Sequence, residues 1–80
     1  MPHYLLWHEH EPAECRFAFA AWQGFSSPLR QRLALSTCPS DGHAIWWIVD
    51  APNPAAAMAQ LPAFVAERAK VTLVSEVTIP

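Results

Sequence analysis

The hydrophobic positions of this chain divide into four extended segments and two helical ones. From His3 to Glu9 the run Tyr-Leu-Leu-Trp lacks polar alternation, which is typical of a central strand covered on both faces. Residues 43 to 50 are rich in the aromatic and β-branched residues that fit a pleated surface. Residues 32 to 38 form a weaker strand, which Ser40-Asp41-Gly42 turns back as a hairpin. Alternation between Val71 and Ile79 predicts a half-polar last strand.

Prolines and a helical spacing of apolar residues mark two helices. The first begins at Glu11-Pro12 and ends at Gly24, because proline is favoured in the first helical turn and glycine at helix ends. The second begins at Asn53-Pro54 and runs to about Arg68, and Pro62 predicts either a kink or two short pieces. The first helix has one apolar stripe, predicted to face the sheet, formed by Cys15, Ala18, Phe19 and Trp22.

The order of these elements, βαββαβ, predicts the fold class. Residues 1 to 80 form one α+β domain, a ferredoxin-like four-stranded antiparallel sheet with two helices on one face. In that topology the first and third strands are antiparallel neighbours. The end of the first strand therefore lies beside the start of the third.

The amino-acid composition indicates that the chain binds a partner. A chain of 80 residues buries only a modest part of its unfolded surface, yet 52 % of its residues are hydrophobic and only 15 % are charged. Four Trp and four Phe cannot all fit into one thin core. We therefore expect a homodimer in which some of these side chains line the interface.

Charge and local hydropathy exclude other partners. The net charge of −2 and the scattered Lys and Arg residues provide no basic stripe for nucleic acid. The longest apolar runs are far shorter than a membrane span, and the first residues lack the features of a signal peptide. We expect a cytoplasmic protein whose two cysteines are free thiols, with a single Cys15 to Cys38 disulfide as the alternative.

Residues 8 to 15, His-Glu-His-Glu-Pro-Ala-Glu-Cys, concentrate two imidazoles, three carboxylates and a thiol at one predicted strand-to-helix junction. The predicted topology brings the hairpin to the same end of the domain. Imidazole and thiolate are preferred ligands of zinc, nickel and copper. The sequence therefore predicts a transition-metal site whose candidate ligands are His8, His10, Cys15, His43 and Cys38.

The parity of the first strand decides where its histidines point. If Tyr4 and Leu6 face the helices, His8 and His10 continue that face and lie under Cys15. If Leu5 and Trp7 face the helices instead, both histidines turn toward the partner subunit. The pattern of the strand leaves both arrangements open.

Each candidate ligand also has an ordinary structural interpretation. His-x-His at a strand end is commonly a solvated polar edge, Cys15 is a small residue suited to packing, and His43 follows a turn signal. Trp46 and Trp47 point to opposite faces of their strand, and we favour packing in the core and interface over an aromatic ligand cleft for them.

The βαββαβ pattern, Leu5-Leu6-Trp7 in the first strand, and the closing stretch from Leu61-Pro62 to Val77-Thr78-Ile79-Pro80 also carry a family resemblance. The chain resembles small uncharacterised bacterial proteins of the dimeric α/β-barrel superfamily, in which two ferredoxin-like subunits pack sheet to sheet. The resemblance implies a homodimer. It implies no single reaction, because that superfamily includes isomerases, cofactor-free monooxygenases, haem-degrading proteins and small metal binders.

Three functions remain at this point. The favoured one is a small metal-binding dimer. The first alternative is a dimeric barrel enzyme of isomerase or cofactor-free oxygenase type. It would bind a small apolar substrate in a cleft lined by Trp7, Trp46 or Trp47, with one of the histidines as general base. The second alternative is a structural or regulatory dimer without ligand.

Overall fold

The extended segments form one antiparallel sheet in the computed structural model, which describes residues 1 to 80. The strand order in the sheet is β2-β3-β1-β4. The α+β class is confirmed. In chain order the elements are β1 (His3–Glu9), α1 (Cys15–Ala20), β2 (Leu35–Ser36), β3 (Ala44–Asp50), α2 (Pro54–Met58), α3 (Ala63–Ala66) and β4 (Ala69–Val74), with 3₁₀ turns at Pro12–Glu14 and Cys38–Ser40.

Strand β1 lies at the centre of the sheet, between β3 and β4. Its last residues pair with the first residues of β3, with His8 opposite Ile45, so the predicted neighbourhood of these strand ends is confirmed. Tyr4, Leu6 and His8 are buried on the helix side. The first of the two parities is therefore the one observed. Within one chain the prediction that β1 is covered on both faces is wrong, because Trp7 on the other face is exposed.

Proline and capping side chains mark where the helical segments begin, but the predicted end of the first helix at Gly24 is wrong, because α1 ends at Ala20 and a turn leads from it to that glycine. The 3₁₀ turn before α1 starts with a capping box formed by Glu11 and Glu14, and the chain turns away after α1 at Gly24, where φ is 73°. Asn53 caps α2 by accepting a hydrogen bond from the Ala56 N–H at 2.8 Å. The predicted division at Pro62 is confirmed, since α2 and α3 are separate pieces. None of these short helices could span a lipid bilayer.

The core lies between the sheet and the helices. It joins Tyr4 and Leu6 of β1 to Ala57 of α2 and Val65 of α3, which are at most 6 % exposed. Phe19 was predicted to be buried but is 53 % exposed, because Ala18 and Trp22 occupy the positions of that helix facing the core.

Two strands are shorter than their hydrophobic patterns predict. Strand β4 ends at Val74, which pairs with His3, the first residue of β1, so the chain beyond Val74 has no facing strand. Strand β2 has only two residues, because turns occupy residues 28 to 32 before it. Val77 and Ile79, placed by the pattern in the last strand, are exposed.

Candidate metal centre

Four side chains with metal-ligating atoms meet at one end of the sheet. The ligand atoms of His10, Cys15, Cys38 and His43 all lie within 4.8 Å of one another. His10 is buried, and the other three are partly buried. This cluster can hold a metal ion, and it comes from three separate parts of the chain.

The segment between β1 and α1 places His10 and Cys15. The backbone N–H of His10 donates to the carbonyl of His43 at 3.0 Å, which joins this segment directly to the hairpin. Glu14, one residue before Cys15, accepts from the Glu11 N–H at 3.0 Å and from the Arg68 guanidinium at 3.0 Å. These contacts fix the start of α1 against both its own turn and the chain that follows α3.

The hairpin places Cys38 and His43, and Thr37 organises it. Thr37 donates its N–H to the Ala44 carbonyl at 2.9 Å and accepts the Gly42 N–H at 2.8 Å. A Cβ on Gly42 would lie 2.3 Å from the Thr37 hydroxyl oxygen, so only glycine fits this position. His43 itself has a φ of 57°, a left-handed conformation that turns the chain sharply into β3.

His8 determines which nitrogen of His10 is available. The His8 Nδ1 lies 3.0 Å from the Val65 carbonyl oxygen, and its Nε2 lies 2.8 Å from the His10 Nδ1. A carbonyl oxygen only accepts, so the His8 Nδ1 carries the proton and the His8 Nε2 accepts from the His10 Nδ1–H. The His10 Nε2 then carries the lone pair of the ring, which faces the Cys38 Sγ at 3.9 Å.

Asp41 determines which nitrogen of His43 is available. The His43 Nε2 lies 3.1 Å from a carboxylate oxygen of Asp41, so this nitrogen donates and the Nδ1 carries the lone pair. The His43 Nδ1 is buried without a hydrogen-bond partner, the only buried side-chain nitrogen or oxygen in this condition. A carboxylate or carbonyl behind a histidine is the arrangement that orients metal-binding imidazoles in proteins.

Burial controls the charge of these groups. Desolvation lowers the pKa of His8 and of His10 below the usual 6.5, and for His10 repulsion from His43 adds to the effect. Both imidazoles therefore favour the neutral form that binds metal ions. Burial raises the pKa of the Cys15 thiol, and the neighbouring Cys38 raises it further. A bound cation would reverse this preference, because it stabilises the thiolate.

The cluster contains four of the five ligands predicted from the sequence. His8, the fifth, is completely buried behind His10 and contacts the cluster only through it. Cys15 and Cys38 are free thiols at the same site. Sequence reasoning missed Asp41, although it stands two residues before His43 in the same turn. It also missed the Val65 carbonyl, which has no sequence signal because it lies 57 positions from its partner.

An apolar groove of about 570 Å³ lies elsewhere on the molecule, beside β2. Leu35, Trp46 and Ile48 line it together with five other hydrophobic residues and Arg32. No groove or pocket of the chain is lined by His8, His10 or His43. The groove and the cluster are therefore separate features.

Fold and cluster together define a small α+β domain with a candidate metal centre of two cysteines and two histidines. Comparison of the chain with known protein families, curated proteins and solved structures found no match.

Proposed function

We propose that the protein is a small cytoplasmic homodimer in which His10, Cys15, Cys38 and His43 hold a structural zinc ion. The observation that carries this proposal is the meeting of two imidazoles and two sulfurs within 4.8 Å. Both imidazoles keep a lone pair for an ion, because their other nitrogens donate hydrogen bonds.

The geometry fits tetrahedral zinc. Zinc bonds of about 2.0 Å to nitrogen and about 2.3 Å to sulfur place a nitrogen and a sulfur about 3.5 Å apart and two sulfurs about 3.8 Å apart. The His10 Nε2 and the Cys38 Sγ are already 3.9 Å apart. A set of two sulfurs and two nitrogens suits zinc better than Cu²⁺ or Ni²⁺, which favour planar nitrogen and oxygen sites.

The number of ligands supports a structural role. Four protein ligands complete a tetrahedron and leave no position for a substrate or a reactive water. The ligands join the end of β1, the start of α1 and the β2–β3 hairpin. A shared ion would add a further connection between these segments, which is the benefit that small domains obtain from structural metals.

Surface area supports the homodimer. The chain exposes 5612 Å². A folded monomer of 8.9 kDa is expected to expose about 4,800 Å². The chain therefore exposes about 800 Å² more than expected for its mass, which favours further burial against a partner.

The open face of the sheet supplies a surface of the right character. Its centre is apolar and includes Trp7, Leu35 and Ile48, which are 39 %, 76 % and 70 % exposed. Polar residues at the ends of the strands surround this centre, among them Lys70 and Asp50. An apolar centre with a polar rim is the usual anatomy of a protein interface. We propose that a second copy covers this face, and the strand order β2-β3-β1-β4 supports the ferredoxin-like fold in which such faces are left open.

The alternatives have less support. The enzyme hypothesis expects a histidine beside the tryptophan-lined groove, and none lies there. The hypothesis of a dimer without ligand expects His8 and His10 to be exposed and far from Cys15. His8 and His10 are 0 % and 5 % exposed, and His10 lies beside Cys15.

Cobalt substitution tests the proposed site. Metal-free protein purified without a polyhistidine tag is titrated with Co²⁺ under reducing conditions. The expected result is one equivalent bound, with the visible bands of tetrahedral cobalt and a thiolate charge-transfer band that Zn²⁺ abolishes by displacement. Cys15→Ser and Cys38→Ser should each weaken the charge-transfer band, whereas His3→Ala, on the same strand as the site but at its other end, should not. Octahedral spectra throughout would refute the proposal.

A further inference from the structure

The two sulfurs of the cluster are neighbours as well as candidate ligands. The Cys15 and Cys38 sulfurs are among the atoms that lie within 4.8 Å of one another, and both side chains are partly exposed free thiols. A disulfide requires a sulfur separation of about 2 Å, so each sulfur has to move by on the order of 1 Å. The same two atoms can therefore serve either a metal ion or a disulfide bond.

The chain contains no other cysteine. A disulfide formed within one chain must therefore join Cys15 to Cys38. This bond would connect the start of α1 to the turn that precedes β3, which are two of the segments that the proposed zinc ion joins. The disulfide would take over part of the tethering role of the ion, so the fold has a reason to persist after oxidation.

We propose that the centre is a redox-controlled zinc site, in which oxidation of Cys15 and Cys38 to a disulfide by a hydroperoxide releases the ion. This inference rests on the proposed zinc binding. His10 and His43 would be the only ligands left after oxidation. Two imidazoles hold zinc much more weakly than a complete set of four ligands.

The chemistry balances with the peroxide as the only oxidant. One thiolate attacks an oxygen of the hydroperoxide, the O–O bond breaks, and a sulfenic acid forms with release of hydroxide or alkoxide. The second thiolate attacks the sulfur of that sulfenic acid, the S–S bond forms, and a second hydroxide leaves. Two protons from solvent neutralise the two leaving groups. Two electrons have passed from the sulfur pair to the peroxide, and the zinc ion has lost both of its anionic ligands.

The position of the thiols supports access by a small oxidant. Both cysteines are only partly buried, so a molecule the size of hydrogen peroxide can approach without unfolding the core. His8 and His10, in contrast, lie in the buried part of the site, where His8 donates to the Val65 carbonyl and accepts from the His10 Nδ1–H. Both sulfurs therefore lie on the more exposed side of the centre, together with His43.

The test begins with zinc-loaded protein whose zinc content has been measured. Hydrogen peroxide is added, zinc release is followed with a chromogenic chelator, and the denatured mass is recorded without reductant. The expected result is release of one zinc ion per chain, in step with the loss of two hydrogen atoms from the mass. Peptide mapping should show the link between Cys15 and Cys38, and dithiothreitol with added zinc should restore the starting state.

Cys15→His and Cys38→His are the matched control variants, because each keeps four zinc-ligating side chains but removes the partner sulfur. Their zinc should be retained under the peroxide dose that empties the natural protein. Retention of zinc and of both thiols by the natural protein, at a dose that oxidises free cysteine, would overturn the redox proposal and leave zinc binding intact. Release with sulfinic acid or links between chains, and no Cys15 to Cys38 bond, would also overturn it. Failure to load zinc at all would overturn both proposals, and it is detected before peroxide is added.

Discussion

The state of each imidazole in the cluster is decided by a group that is not itself a ligand. The Val65 carbonyl orients His8, His8 orients His10, and Asp41 orients His43. The two candidate ligand nitrogens thereby retain their lone pairs before any ion arrives. His8 is a positioning residue in this account, and its substitution should weaken metal binding without changing the number of ions bound.

His8→Ala should lower zinc affinity by about 10-fold to 100-fold, the usual cost of losing a hydrogen-bond partner behind a metal ligand. Competition with a chromophoric chelator measures the affinity, and the stoichiometry should stay at one. His3→Ala is the matched control, because His3 lies exposed on the same strand. Equal affinities for the two variants would contradict the positioning role of His8.

The metal-free protein should lose stability on mild acidification. Burial holds the pKa of His8 and His10 below 6.5 in the folded state, whereas in the unfolded chain they titrate near 6.5. The unfolded chain therefore binds more protons, so the stability present above pH 6.5 decreases as the pH falls through 6.5 toward the lowered values.

Urea unfolding with a chelator present, at intervals from pH 8 to about pH 5, measures this effect above the range in which carboxylates titrate. His8→Phe, which fills the site but cannot take up a proton, should make the profile shallower, because only His10 then contributes. A free energy of unfolding that stays level or rises on acidification would be inconsistent with two buried neutral histidines.

The candidate metal centre depends on two short turns that lie outside the regular helices and strands. The 3₁₀ turn at Pro12–Glu14 sets the distance between His10 and Cys15, and the Thr37 turn sets the distance between Cys38 and His43. The Thr37 turn is the more constrained of the two. It closes only because Gly42 has no side chain.

Gly42→Ala should therefore disrupt the site as well as destabilise the fold. The added Cβ would lie 2.3 Å from the Thr37 hydroxyl oxygen, and relieving this overlap should cost about 1–3 kcal/mol. Zinc affinity should fall with it. Gly24→Ala is the control, since nothing lies within 4 Å of its new Cβ and only the left-handed φ of 73° is penalised, by about 1 kcal/mol.

Thermal unfolding measures the stability of both variants, and chelator competition measures their zinc affinity. Gly24→Ala should lower the melting temperature and leave zinc affinity unchanged. Unchanged zinc affinity in Gly42→Ala would show that the hairpin does not position Cys38 and His43.

Much of the element pattern could be predicted from the sequence. The apolar runs located β1 and β3, and Pro62 located the break between α2 and α3. The antiparallel pairing of β1 with β3 then brought His10 and His43 to one end of the sheet. The ends of β2 and β4 could not be predicted, because they depend on where the partner strand begins or where a turn intervenes. The role of His8 depended on a parity and on a distant carbonyl that no local pattern encodes.

The molecule as a whole has few buried residues and a large exposed surface. Only 15 of 80 residues are buried, and the chain exposes more area than expected for its mass. The proposed zinc ion and the proposed second copy would compensate at different places, one at the end of the sheet and the other on its open face.

The proposed interface predicts how the chain sediments. The natural protein should be a dimer at micromolar concentration, and Ile48→Lys should shift it toward monomer, because the new charge would be buried among apolar side chains. Phe19→Lys is the matched control, since Phe19 is also exposed but lies on the helix side. Sedimentation velocity measures all three. A natural protein that is monomeric, or a Phe19→Lys variant that dissociates while Ile48→Lys does not, would place the interface elsewhere or remove it.

Measuring the metal content of the purified protein shows whether the four side chains hold zinc. Protein produced without a polyhistidine tag in zinc-containing medium is examined by native mass spectrometry together with elemental analysis. One zinc ion per chain is expected, and this ion should be lost when Cys15 and His43 are replaced together by Ser and Ala. Protein that carries no zinc, or zinc that persists in the double variant, would rule out a zinc centre formed by these residues.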